Sequence, residues 1–143
     1  MQPEEFRLAD VKAWLSRAAD DLLAAEHDMK AGERLFGEAA FHCQQAAEKA
    51  MKALLTWHDR PFRRTHNLEE LGRQIAQLDA NLAPLVDAAV VLTEYAWAYR
   101  YPGGVPQPAL EEAQEALRTA HALVDAVLKR LPADARPGPT DNA

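Results

Sequence analysis

The stretch from Phe41 to Leu55, FHCQQAAEKAMKALL, fits a helix and little else. At about 100° per residue, His42, Gln45, Lys49 and Lys52 fall on one narrow stripe, while Cys43, Ala46, Ala47, Ala50 and Leu54 fall roughly opposite. The small apolar face lets neighbouring helices approach closely. The long polar stripe either faces water or lines a cleft, and a solvated face is the simpler expectation. A segment divided in this way predicts the central helix of an all-α bundle.

The flanking segments supply its partners. Val11, Trp14, Leu15, Ala18, Leu22, Ala25 and Met29 recur at steps of three and four, which predicts a first helix from about Glu5 to Met29. Arg17, Asp20, Asp21 and Lys30 belong to its edges and far side. Gly32 breaks the pattern and Gly37 stands near the next helix start, so the first two helices should form an antiparallel pair. The central helix continues to about Trp57 and stops at Asp59 and Pro61, because proline cannot extend the hydrogen-bond ladder.

After the loop RPFRRTH, Asn67 predicts an N-cap, with Glu70 placed to reach back in a capping box. The short helix so started carries Leu68, Leu71, Ile75 and Leu78. From Asn81, Leu85, Val86, Ala89, Val90, Thr93, Ala96 and Trp97 mark the buried face of a fourth helix ending at Tyr99, Arg100 and Tyr101. Pro102, Gly103, Gly104, Pro106 and Pro108 then make a loop. The last helix spans about Pro108 to Leu131, with Leu110, Ala113, Leu117, Ala120, Val124, Val127 and Leu131 inward. The expected architecture is an antiparallel up-and-down bundle of four long helices plus one short helix, a single domain over residues 1–131. The tail, 132–143, lacks large apolar residues and is expected to be disordered.

Charge narrows the range of partners. Sixteen Lys and Arg against 22 Asp and Glu give a net charge of −6, which opposes non-specific attachment to nucleic acid or an anionic membrane. Any phosphate contact must therefore be local. The basic run Arg60, Arg63 and Arg64 before His66 reads as a solvated loop. The single Cys43 lies on the apolar side of its helix and should be a buried thiol. No apolar signal segment follows Met1 and no run is long enough to span a bilayer, so the cytoplasm is the expected location.

Metal and cofactor chemistry find no support in the spacing. There is no H-E-x-x-H pair, no C-x-x-C and no Glu followed by His three positions later, and a phosphate-binding glycine loop has no strand to follow. Neither a metal nor a cofactor is expected. Tyr99 and Tyr101 flank Arg100 in a way that suits a base stacked on a ring with its phosphate on the guanidinium, or alternatively the packing of a bundle end. Trp14, Trp57 and Trp97 read as core or interface anchors.

Three segments in order resemble the HEPN family of small helical domains: FHCQQAAEKAMKALL at Phe41 to Leu55, THNLEEL at Thr65 to Leu71, and AYRYPG at Ala98 to Gly103. The resemblance covers roughly Ala9 to Leu131 and is closest to the stand-alone bacterial and archaeal branch, often encoded beside a minimal nucleotidyltransferase. It implies a four- or five-helix bundle, commonly a homodimer, linked to nucleotide or nucleic-acid biology. Some members are metal-independent ribonuclease toxins of toxin–antitoxin pairs, with an Arg and a His four to six residues apart meeting across a dimer cleft. This chain departs from that pattern. Its only such pair, Arg60 and His66, is interrupted by Pro61 and a helix end, and Arg100 has no His until His121.

The expectation is therefore a non-catalytic, dimeric binding or interaction subunit that pairs with a minimal nucleotidyltransferase. The alternative is a ribonuclease with an atypical Arg/His arrangement. His42, Gln45, Lys49, His66, Arg100 and Tyr101 form the candidate site for a nucleotide or RNA, and His66 and Arg100 are expected near one another, at the end of the bundle where the short helix starts.

Overall fold

In the computed structural model, which describes residues 3–103 and 106–137, the chain is helical and no strand occurs among the described residues. Five α-helices follow one another: α1 (Glu4–Ala31), α2 (Phe36–Trp57), α3 (Leu68–Leu78), α4 (Ala83–Val90) and α5 (Leu110–Leu128). Gly32, with φ of 117°, ends α1 in a conformation that favours glycine, and the chain turns back at once into α2. Arg7 near the start of α1 donates to the carbonyl of Trp57 at the end of α2, as antiparallel packing requires.

The division of α2 explains why it becomes the centre. Cys43, Ala46, Ala47, Ala50 and Leu54 are all buried, and their small volume lets α1 and α5 press against it. Around them α1 supplies Val11, Leu15, Ala18, Leu22 and Ala25, α3 supplies Leu68, Leu71 and Ile75, and α5 supplies Ala120, Leu123, Val124 and Val127. Burial pushes the Cys43 thiol up to about 12, as expected for a thiol kept from water.

Several local expectations change. The fourth segment is not one long helix: α4 ends at Val90 and the chain continues as a 3-10 turn over Thr93–Ala96, which rotates Trp97 outward to 52% exposure. Leu110, expected inward, is also exposed because it stands in the first turn of α5. Asn67 caps α3 by accepting from the N–H groups of Glu69 and Glu70, but Glu70 does not reach back. Its carboxylate instead accepts from Nε and Nη2 of Arg63, at 2.6 and 2.9 Å. The segment expected to be disordered from Pro132 opens with a further 3-10 turn, Ala133–Ala135, whose Ala135 is buried in the core. Residues 138–143, the rest of that expectation, lie outside the described residues.

The end of α2 carries one strained residue. Asp59 has φ of 55°, and the Arg60 N–H closes the turn on the Leu55 carbonyl at 2.9 Å, an arrangement usually given to glycine. Its carboxylate also opposes the negative end of the helix dipole. Asp59→Gly should raise stability by about 1 kcal/mol, part of the gain being offset by the freer unfolded chain. A urea midpoint that falls in this variant would contradict the strain argument.

Candidate functional site

The polar stripe of α2 is only partly open to water: Lys52 is buried, and His42, Gln45 and Lys49 are half-buried. It is roofed by α1 and by the loop between α2 and α3, and this changes what each side chain can do. Asp21 of α1, expected on an outer edge, is buried and accepts from both Lys49 Nζ, at 2.5 Å, and His42 Nδ1, at 3.0 Å. Asp28, about two turns further on, stands 4.0 Å from His42 Nε2. Burial raises the Asp28 carboxyl above its ordinary value, with His42 pulling it the other way.

Further along α2 is a second cluster centred on Glu48, which is 3% exposed. Its Oε2 accepts from buried Lys52 Nζ at 3.0 Å, and its Oε1 accepts from His66 Nδ1 at 2.7 Å and from Gln44 Nε2 at 3.2 Å. The same Gln44 amide donates to the His66 carbonyl at 3.0 Å, and Gln45 donates to Gln44 Oε1 at 2.7 Å. The polar network is thus closed on itself in a region of low dielectric. Lys52 also lies 5.4 Å from the ring centre of Trp14 and 5.8 Å from that of Phe62, which places its charge over two aromatic faces.

His66 is the outer member of this cluster. A carboxylate can only accept, so the bond to Glu48 places a proton on Nδ1 and leaves Nε2 as the outward nitrogen, on a side chain 63% exposed. Arg60, six positions earlier in the chain, belongs to the closing turn of α2.

Arg100, in the segment after the 3-10 turn, docks elsewhere along α2. Its Nη1 donates to Glu38 Oε2 at 2.7 Å and its guanidinium carbon lies 3.9 Å from the ring centre of Phe41. This position is fixed by two neighbours. A Cβ on Gly37 would meet Tyr99 Cβ at 2.6 Å, and the Gly37 N–H donates to Gln107 Oε1 at 2.7 Å, so the segment after the 3-10 turn is held against the first turn of α2. Tyr95 donates to Glu112 at 2.6 Å and stacks obliquely on Tyr99. Burial first, and then that carboxylate, hold the Tyr95 phenol well above its ordinary value. Tyr101 is 74% exposed.

His66 and Arg100 are therefore not gathered at one end. Their anchoring carboxylates, Glu48 and Glu38, are ten positions apart on α2, about 15 Å of helix axis at 1.5 Å per residue. Of the six candidates, His42 and Lys49 share Asp21, Gln45 and His66 belong to the Gln44–Glu48 cluster, and Arg100 and Tyr101 stand beside the start of the helix. The partners Asp21, Glu38, Gln44 and Glu48 were not anticipated. Only the spacing of Gln44, Glu48 and Lys52, four residues apart each time, gave a sign of them. Among the described residues, no group of three or more His, Cys, Asp and Glu side chains could hold a metal ion, and no helix is long and apolar enough to cross a membrane.

The HEPN domain family matches residues 11–131 of the chain. The fold is similar to the crystal structure of an archaeal HEPN homologue, with a TM-score of 0.66 and 24% identity over 84% of this chain and 96% of that one. At that identity the likeness speaks for the fold. No curated protein matches the chain.

Proposed function

Because this chain belongs to the HEPN domain family, we propose that it is a non-catalytic binding and interaction subunit that forms a homodimer, pairs with a minimal nucleotidyltransferase and holds a nucleotide or RNA along the outer edge of α2. The observation that carries this reading is the engagement of the cations. Lys49, Lys52 and Arg100 are each bound to a carboxylate, and Arg100 and His66 are anchored on different ones. A nuclease of the Arg/His type needs both groups on one phosphodiester, within hydrogen-bond reach or one water of it. A binding edge needs only the outward His66 ring, the partly open Lys49 and Arg100, and the exposed Tyr101 face.

Incubation of the purified chain with RNA in metal-free buffer should leave the RNA intact. Nucleotides and short RNA should bind the parent, and the Lys49→Ala, Arg100→Ala double variant should bind about tenfold more weakly or worse. Arg100→Ala alone should cost about 0–1 kcal/mol of stability, its pair with Glu38 being open to solvent. Lys49→Ala leaves Asp21 with His42 alone, so unfolding is measured beside binding. Equal binding by parent and double variant would remove this edge as the site. The exposed apolar residues Val91 and Trp97 suit a contact between copies, and a monomer mass by light scattering at micromolar concentration would remove the dimer.

One observation favours the alternative of a metal-independent ribonuclease. His66, with Nδ1 held by a buried carboxylate and Nε2 outward, has the arrangement of an oriented general base. RNA cleavage that disappears in His66→Ala would establish that reading and end the non-catalytic one.

A further inference from the structure

The chain's excess of acid is concentrated in one stretch. Between Arg73 and Arg118 the sequence carries Asp79, Asp87, Glu94, Glu111, Glu112 and Glu115 against Arg100 alone, which accounts for most of the net charge of −6. Arg130 pairs with Asp79 and Arg118 with Glu115, but among the described residues Asp87, Glu94, Glu111 and Glu112 form no ion pair within 4.0 Å. Each of these four lies within one helical turn, in sequence, of a residue lining a groove of about 210 Å³ between the 3-10 turn and α5. The floor of the groove is apolar. Leu92 and Tyr95 from one side and Ala116 from the other are buried, and Val91, 66% exposed, stands at the lip. One carboxylate of the rim is already fixed in place. Glu112 accepts from the buried Tyr95 hydroxyl through Oε1, at 2.6 Å, which leaves Oε2 with no donor among the described residues.

We infer that this groove docks a protein segment presenting one aliphatic side chain flanked by Lys or Arg. An apolar floor inside an acidic rim selects for both features together. The aliphatic group covers Leu92, Tyr95 and Ala116, while the flanking cations meet Glu112, Glu94 and Glu115. A nucleic acid or an anionic membrane carries the wrong charge for this face. A second copy set on the groove about a two-fold axis would bring the same carboxylates face to face. The contact between copies therefore falls beside the groove, toward Trp97, with Val91 at the shared edge. The groove has no residue in common with the binding edge along α2, so either site can fail without the other.

The test is fluorescence anisotropy of a labelled short peptide, with one leucine between two lysine–arginine pairs, titrated with the full chain. Saturable binding is expected, weakening as salt rises. It should be at least about tenfold tighter than that of a peptide with serine for the leucine, or of one with glutamines for the cations. Glu94→Lys, Glu115→Lys should bind the leucine peptide at least about tenfold more weakly than the parent does, with an unfolding midpoint close to the parent's, since both positions are exposed. Glu4→Lys, Glu5→Lys, which changes the net charge equally at the start of α1, should bind as the parent does. Absence of saturable binding, equal binding of the serine peptide, or an equal loss in both charge variants would overturn the inference. Light scattering during the titration supplies a further check: a mass that falls from dimer to monomer as the peptide binds would assign the groove to the contact between copies instead.

Discussion

Glu48→Ala is expected to cost about 3 to 5 kcal/mol, because it strands the Lys52 ammonium in a buried site and takes an acceptor from His66 and Gln44 together. The ring faces of Trp14 and Phe62 beside Lys52 compensate only a part, on the order of 1 kcal/mol. Removing both charges is a different experiment. In a Glu48→Leu, Lys52→Met double variant no unpaired charge remains, and most of the loss should return, since apolar replacement of both partners is often near neutral. Urea unfolding of the parent, the single and the double variants gives the coupling directly. A Glu48→Ala loss below 1 kcal/mol would mean that water reaches Lys52 and that the cluster is not closed.

Gly37→Ala should be the second most damaging change, with a net loss of about 1 to 3 kcal/mol. Alanine gains about 1 kcal/mol of helix propensity over glycine, which would stabilise an open site. Here the new methyl meets Tyr99 Cβ at 2.6 Å and Gln107 Oε1 at 2.8 Å, and the first of these is tied to backbone and cannot rotate away. The segment carrying Arg100 must lift off α2, breaking the Gly37–Gln107 bond as it goes. The emission of exposed Trp97, two residues before Tyr99, should shift while the helical circular dichroism stays. A midpoint at or above that of the parent would show that the segment yields without cost.

The two variants mark where the sequence was legible and where it was not. The helix order, the ends of α3, the Asn67 cap and the buried Cys43 follow from periodicity and cap chemistry, which act within a few residues. The fourth helix was misjudged because Thr93, Ala96 and Trp97 continue an apolar spacing that a 3-10 turn then rotates out of register. The stripe was misjudged for another reason. Helical spacing says which side chains share a face, but not that Asp21, 28 residues before Lys49, would arrive to cover it. Glu70 was drawn away from its cap by Arg63 in the same manner. Of the candidate site, the membership of α2 could be read from the chain, and the pairing that governs its chemistry could not.

Cys43 gives this bundle a gauge of its own opening. Burial holds the thiol in its protonated form at pH 7, and with Cys43 shut off from solvent no alkylating reagent reaches it in the closed fold. Alkylation in native buffer is therefore gated by excursions in which α2 leaves its neighbours. The rate, divided by that of the unfolded chain, reads the free energy of those excursions at a single atom. Any ligand that closes the protein should slow it in proportion to occupancy, whichever surface the ligand takes.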